Sequence, residues 1–183
     1  MQSGSRELQF QSGAGVFSKS HLDDGSALLI ETFLQNASRE RETARLLDLG
    51  CGWGAVGCCV AARKPDFQIA MCDINARAAT LAQNNARRNQ LTNVAAWCGD
   101  GAGAARENAF DYVLCNPPVR AGNAVIARLF DNAQRCLKPG GEFWFVLRTA
   151  QGAKSWQRRV QETWGNCQTR ALQSGFRILS ATK

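Results

Sequence analysis

The tripeptide Asn116-Pro117-Pro118 closes an apolar run, Phe110 to Cys115, that reads as a buried β-strand. Proline fixes φ and carries no N–H, so the strand stops there and presents a rigid, carbonyl-rich turn beyond its end. The Asn116 side-chain carbonyl and the Pro117 backbone carbonyl are two acceptors on a stiff turn, suited to orienting a hydrogen-bond donor. A rigid loop after a core strand is the plain alternative. A second group lies upstream, where the strand Leu46 to Leu49 breaks into Gly50, Gly52 and Gly54 and then opens a helix. Glycines allow a tight turn and close approach of a ligand to the backbone. The GxGxG spacing is not the GxGxxG of the dinucleotide fingerprint, and a simple tight turn also fits it. Asp48 precedes these glycines, and Asp73 closes the next strand at the distance expected for gripping a ribose. A carboxylate there accepts from both hydroxyls and repels a phosphorylated ribose. Asp100, in Cys98-Gly-Asp-Gly101, ends a third strand where an adenine amino group can be met. Each acid alone is as readily a turn residue; their joint placement points to a nucleoside site.

The elements that hold these residues alternate. RLLDLG, QIAMCDIN, NVAAWCGD, FDYVLCN and GEFWFVLR read as strands, separated by the helical patterns AVGCCVAARK, ARAATLAQNNARRNQ, AVIARLFDNAQRCLK and AKSWQRRVQETW. Such βαβα text predicts an α/β, doubly wound, mostly parallel sheet with helices on both faces and a binding crevice at the strand carboxyl ends. CQTRALQS and FRILSATK, joined through Gly175, predict an antiparallel C-terminal hairpin, making seven strands in a Rossmann-like sheet. RELQF reads as a further short strand, and DDGSALLIETFLQNA as a leading helix capped by Asp23 or Asp24. Residues 1–40 carry that strand and leading helix, residues 41–183 the rest, all in one expected domain.

With 22 Lys+Arg against 15 Asp+Glu, the net charge of +7 favours a polyanionic partner. The eight cysteines suggest zinc or disulfides, but no CxxC occurs, His21 is the single histidine, and the cysteines lie mainly in apolar runs. No metal is expected. MQSGSREL has no apolar core typical of a signal peptide, and no apolar run approaches the roughly 18 residues of a membrane helix. The expectation is a cytoplasmic protein with reduced thiols and no membrane association.

LDLGCGWG, the acidic MCDIN end, CGDG and the CNPP turn, in that order, resemble class I S-adenosylmethionine-dependent methyltransferases. GVFSKSHLDDGSALLIE upstream, and RTAQGAKS and GFRILSATK downstream, are similar to the small-domain group that includes small-subunit ribosomal RNA guanine-N2 methyltransferases. The resemblance implies S-adenosylmethionine as cofactor, with Gly50, Gly52 and Gly54 along its methionine part, Asp73 on the ribose and Asp100 on the adenine, and with Asp48 and Asn116 also at the cofactor site. It implies that Asn116 and Pro117 aim their carbonyls at an exocyclic amine, orienting its lone pair without a strong general base. The substrate side would comprise Phe17, Pro118, Val119 and Arg120. Val119 occupies a position that is often aromatic in such turns, so stacking on the base is expected from Phe17 or Trp53. Lys19, Arg148, Lys154, Arg158 and Arg159 are candidates for phosphate contacts, with a solvated helix face as the other reading of Arg158 and Arg159. Protein glutamine methylation, small-molecule N-methylation and an inactive RNA-binding module are the rival readings. Relatives often carry more sequence before RELQF, so target recognition is expected to be reduced or supplied by a partner. The oligomeric state stays open.

Overall fold

The computed structural model describes residues 7–11, 22–36, 42–100 and 107–183. Its elements run α1 (Asp24–Gln35), β1 (Arg45–Leu49), α2 (Ala55–Arg63), β2 (Gln68–Asp73), α3 (Ala76–Arg88), β3 (Val94–Cys98), β4 (Phe110–Cys115), α4 (Asn123–Cys136), β5 (Leu137–Arg148), α5 (Ala153–Trp164), β6 (Gln168–Gln173) and β7 (Phe176–Thr182). Among the described residues the strands form one seven-stranded sheet in the order β3-β2-β1-β4-β5-β7-β6. Strands β1 to β5 pair in parallel, and β7 runs antiparallel to both β5 and β6. The expected α/β sheet with its C-terminal hairpin is what forms. Ser174 and Gly175 both have positive φ, the type I′ geometry that matches strand twist.

Alternation along the strands sorts the core into two layers. Leu46, Ile69, Met71, Tyr112, Leu114, Trp144 and Val146 face α1, α2 and α3. Their neighbours Leu47, Val113, Cys115, Phe143, Phe145 and Leu147 face α4 and α5. A period of two on a sheet covered on both sides produces this split without any polar break, and all six residues of β4 are buried. The one charge among them, Asp111, keeps its oxygens paired with the Arg45 N–H at 2.8 Å and the Lys138 ammonium at 2.9 Å. A buried carboxylate is tolerated on those terms.

Two expectations change. The described residues of RELQF, Glu7–Phe10, do not pair as a strand. Among its described residues, Gln9 and neighbouring Gln11 are clipped by two asparagines of α3: the N–H and C=O of Gln9 bond to Asn89, and those of Gln11 to Asn85, at 2.8–2.9 Å. Residues four apart on a helix rise about 6 Å, close to the two-residue repeat of extended chain, so two side-chain amides replace a strand's edge. Strand β5 also starts earlier than GEFWFVLR, at Leu137. Between the pairs Phe110↔Leu137 and Tyr112↔Glu142 the register shifts, because Gly140 and Gly141 bond to Lys183 at the chain's end.

The eight cysteines are free thiols, and six of them are buried. Burial pushes Cys59 and Cys167 up to about 11 and Cys72 to about 12, so these thiols are held protonated as apolar filling. Among the described residues no group of three or more His, Cys, Asp or Glu is placed to hold a metal ion, and no helix is long and apolar enough to cross a membrane.

Candidate active site

Strand order reverses at β1: the chain winds outward through β2 to β3, then returns to place β4 on the other side of β1. At such a switch point the flanking loops diverge and leave a crevice beyond the strand carboxyl ends. A cleft of about 1160 Å³ lies there.

The glycine loop after β1 forms its floor. The Gly50 and Cys51 N–H groups both donate to the Cys72 carbonyl at 2.9 Å, fastening this loop to the end of β2. Gly52 N–H donates to Asp73 Oδ2 at 2.9 Å, and Asn75 N–H to Asp73 Oδ1 at 2.9 Å. Asp73 thus bridges two loops while lining the cleft, and each carboxylate oxygen retains a further lone pair. Space above Gly50 is open: a Cβ built there meets nothing within 4 Å. Gly54 differs from Gly50 and Gly52. It sits behind the cleft wall at φ 84, where a Cβ would come 2.8 Å from that of Ala82. It packs α2 closely on α3 and, unlike Gly50 and Gly52, is not among the residues lining the cleft.

Asp48 is 2% exposed beneath this loop. Its Oδ2 accepts from the Gly57 N–H at 2.8 Å. Burial pushes its carboxyl up to about 7; the Gly57 bond opposes the rise and the nearby Asp73 charge adds to it. Gly57 itself was not singled out by the sequence. A Cβ there would lie 2.6 Å from Met71 Sδ and 3.2 Å from Asp48 Oδ2, so the helix must be bare where it crosses the acid.

Across the cleft, Asn116, Pro117, Pro118, Val119 and Arg120 line one wall, Val119 to Ala121 forming a single 3-10 turn. Pro117 is buried and Pro118 exposed. The Asn116 amide Nδ2 donates to Ser26 Oγ at 2.9 Å and to both Asp23 oxygens at 3.3 Å. Asp23 is the N-cap of α1, settling the choice between it and Asp24: its Oδ1 accepts from Ser26 N–H at 3.0 Å. Asp100 lies at the cleft's far end, its carbonyl receiving the Asn132 amide at 2.8 Å.

Several expected residues fall elsewhere. Trp53 does line the cleft, but it is only 7% exposed and packs edge-to-face on Phe10 at 4.8 Å, within a small cluster with Ala55 and Ala78. Phe17 and Lys19 lie outside the described residues. Lys154, Arg158 and Arg159 are exposed on α5 and do not line the cleft, which favours the solvated-face reading of the two arginines. Arg148 does line it, with its guanidinium 4.2 Å from the Phe176 ring centroid. Arg128, Phe176 and the exposed Ile74 also line the cleft; helix and hairpin periodicity hides that Arg128 and Phe176 reach a strand end, and Ile74 directly follows Asp73.

The cleft therefore has two characters. Asp48, Asp73 and Asp100 mark the ends of β1, β2 and β3, while Arg120, Arg128 and Arg148 lie on the side of β4 and β5. A dinucleotide pyrophosphate would be repelled at the acidic end, whereas a nucleoside carrying positive charge suits it. S-adenosylmethionine meets that description.

Comparison with known proteins agrees. The methyltransferase small domain matches residues 7–180. The chain is 35% identical to an uncharacterized Bacillus subtilis protein, YbxB, over 97% of its own length and 87% of that protein's. It is 35% identical to ribosomal RNA small subunit methyltransferase C of Pseudomonas syringae and 33% to ribosomal RNA large subunit methyltransferase G of Streptomyces coelicolor, over 92% and 93% of this chain. It spans about half the length of those two enzymes, 49% and 45%. Among solved structures, the Thermus thermophilus 16S rRNA N2 G1207 methyltransferase, in complex with AdoMet and guanosine, superposes with a TM-score of 0.80 at 27% identity, covering 92% of this chain and 45% of that one. Sequence, fold and cleft chemistry thus converge, and the chain belongs to the methyltransferase small domain family of S-adenosylmethionine-dependent methyltransferases.

Proposed function

We propose that this chain methylates the exocyclic N2 amine of a guanine in ribosomal RNA of the 16S type, acting as one methyltransferase unit across residues 1–183. The observation that carries the reading is the Asn116-Pro117 turn, which lines the same cleft as the glycine loop and Asp73. When bound, S-adenosylmethionine supplies an electrophilic methyl on a sulfonium. Gly50 and Gly52 border its methionine part, Asp48 supplies negative charge beneath them, Asp73 holds the ribose hydroxyls, and Asp100 meets the adenine amine.

The chain's remaining task lies with the acceptor. A guanine N2 amine has its lone pair delocalised into the ring and attacks poorly until it is turned toward the methyl. Asn116 Oδ1 and the Pro117 carbonyl accept its two protons, fix the lone pair along the line of attack, and stabilise the positive charge that develops. Pro118 and Val119 border the base, and Arg120 and Arg148 meet the phosphates. The base must be single-stranded or flipped out to enter such a cleft. The aligned Thermus thermophilus enzyme, which was crystallised with guanosine, supports guanine as the base.

The test is transfer of radiolabelled methyl from S-adenosylmethionine to naked ribosomal RNA, small subunits, large subunits and protein extract, followed by nucleoside analysis. Label in N2-methylguanosine of small-subunit RNA is expected, and Asn116→Ala lowers its rate by roughly two orders of magnitude or more while leaving cofactor affinity nearly intact. Label confined to protein, or to the large subunit, overturns the substrate assignment. Unchanged turnover in Asn116→Ala removes the turn from the chemistry.

A further inference from the structure

The Asn116 amide is held from behind. Its two N–H protons both face the start of α1: one side meets Ser26 Oγ at 2.9 Å, the other sits between the two Asp23 oxygens at 3.3 Å each. Ser26 is 5% exposed, and the contact is part-buried at the cleft wall. An amide's oxygen and nitrogen ends are nearly equal in shape, and either can be turned toward a neighbour. An ionised carboxylate only accepts hydrogen bonds. Facing Asp23, the amide has one stable orientation, nitrogen inward, and the opposite orientation sets three oxygens against one another.

We propose that Asp23 and Ser26 are positioning residues for methyl transfer, which lock the Asn116 amide so that its carbonyl oxygen, and not its NH2, is presented to the acceptor amine. The inference rests on the acceptor chemistry proposed above. It gives Asp23 two separable duties. As N-cap it holds Ser26 N–H at 3.0 Å and starts α1. As clamp it consumes the donors of Asn116 and polarises the amide, making Oδ1 a stronger acceptor where positive charge develops. The two duties explain why α1, which contributes no strand-end loop, reaches the cleft with its first turn.

Asp23→Asn separates them. Asparagine caps a helix as well as aspartate, so thermal stability and S-adenosylmethionine affinity stay close to wild type. With its carbonyl engaged by Ser26 N–H, the new amide turns its own NH2 toward Asn116, donor faces donor, and Asn116 is driven to flip. The expected result is a fall in kcat of roughly 10- to 100-fold with KM for RNA little changed. Asn116→Asp alone sets two carboxylates about 3.3 Å apart and lowers both activity and stability. Adding Asp23→Asn to it restores a donor against an acceptor, so the double variant is more stable and more active than Asn116→Asp. Relief of like charge by itself restores stability, so the discriminating readout is recovery of kcat, which a purely structural cap does not give.

A second readout needs no acceptor. The Asn116 side-chain NH2 resonances, assigned by their loss in Asn116→Ala, show slow exchange in wild type and fast exchange in Asp23→Asn. Wild-type inactivity toward every RNA tested would overturn the substrate reading, and the clamp is then judged on these resonances. Unchanged amide exchange and full kcat in Asp23→Asn, or a double variant no more active than Asn116→Asp, overturns the clamp.

Discussion

Asp48 offers the sharpest test of the cleft's electrostatics. Its carboxyl is raised from 3.8 to about 7, chiefly by burial. A folded-state value above the unfolded one means that the folded protein binds the proton more tightly. Stability therefore falls as pH rises from about 4 to about 7 and levels off above. At 1.36 kcal/mol per pKa unit, the full penalty is on the order of 4 kcal/mol, and roughly 2–3 kcal/mol of it accrues between pH 5 and 8. For a chain of this size that is a loss of roughly 5–10 °C in Tm across the window. Asp48→Asn mimics the protonated acid, keeps an acceptor for Gly57 N–H, and removes this titration. The assay is thermal unfolding at half-unit pH steps for both proteins, where every other group cancels in the difference. The variant's Tm should pull ahead of wild type as pH climbs. Calorimetry with S-adenosylmethionine supplies the complement: the cation favours ionised Asp48, so wild-type affinity gains on that of the variant through the same window. Parallel Tm curves for the two proteins would refute the idea that a buried, strained carboxylate underlies the glycine loop.

Other perturbations test the frame around the cleft. Asn85→Ala removes a fully buried amide bonded to both backbone groups of Gln11 and to the Trp53 carbonyl, and should cost about 2–3 kcal/mol in denaturant unfolding while the Gln11 amide exchanges at least tenfold faster; unaltered exchange would show that the N-terminal segment is held by other contacts. Gly57→Ala drives a methyl into Met71 and toward Asp48, so despite better helix propensity it should destabilise by about 1–2 kcal/mol, and combined with Met71→Ala the loss should be smaller than the sum of the two single losses. A Gly57→Ala protein as stable as wild type would mean that Met71 moves aside freely.

The chemistry-bearing turns were legible because they coincide with backbone punctuation. Proline at Pro117 and glycine at Gly50 announce themselves by type, and strands ending in Asp48, Asp73 and Asn116 follow from periodicity. Contacts between distant elements were not legible. Nothing in the text places Asp23 against Asn116, 93 residues away, or turns Asn85 and Asn89 into a substitute strand edge for a segment 74 to 80 residues earlier. RELQF alternates as a strand does and so predicts one, yet its backbone bonds are met by side chains, a choice that only the facing helix decides. Trp53 misled for a related reason. An aromatic in a glycine loop suggests a stacking face, but most of the ring is spent on packing with Phe10 and Ala78, leaving 7% of the residue exposed at the cleft.

The charge of +7 gains meaning only through its placement. The acids at the ends of β1, β2 and β3 and the arginines beyond β4 and β5 line one cleft, and Asp23 and Asp24 add negative charge beside the Asn116 turn. Opposite unit charges 4 Å apart interact by about 4 kcal/mol in a surface cleft, against about 1 kcal/mol in bulk water. In the proposed reaction these charges would favour a cationic methyl donor at the acidic strand ends and a polyanionic acceptor beside the arginines. The Asn116 turn would then need to orient only one amine, confined to one approach, and rigidity at Pro117 would contribute more there than a titrating base.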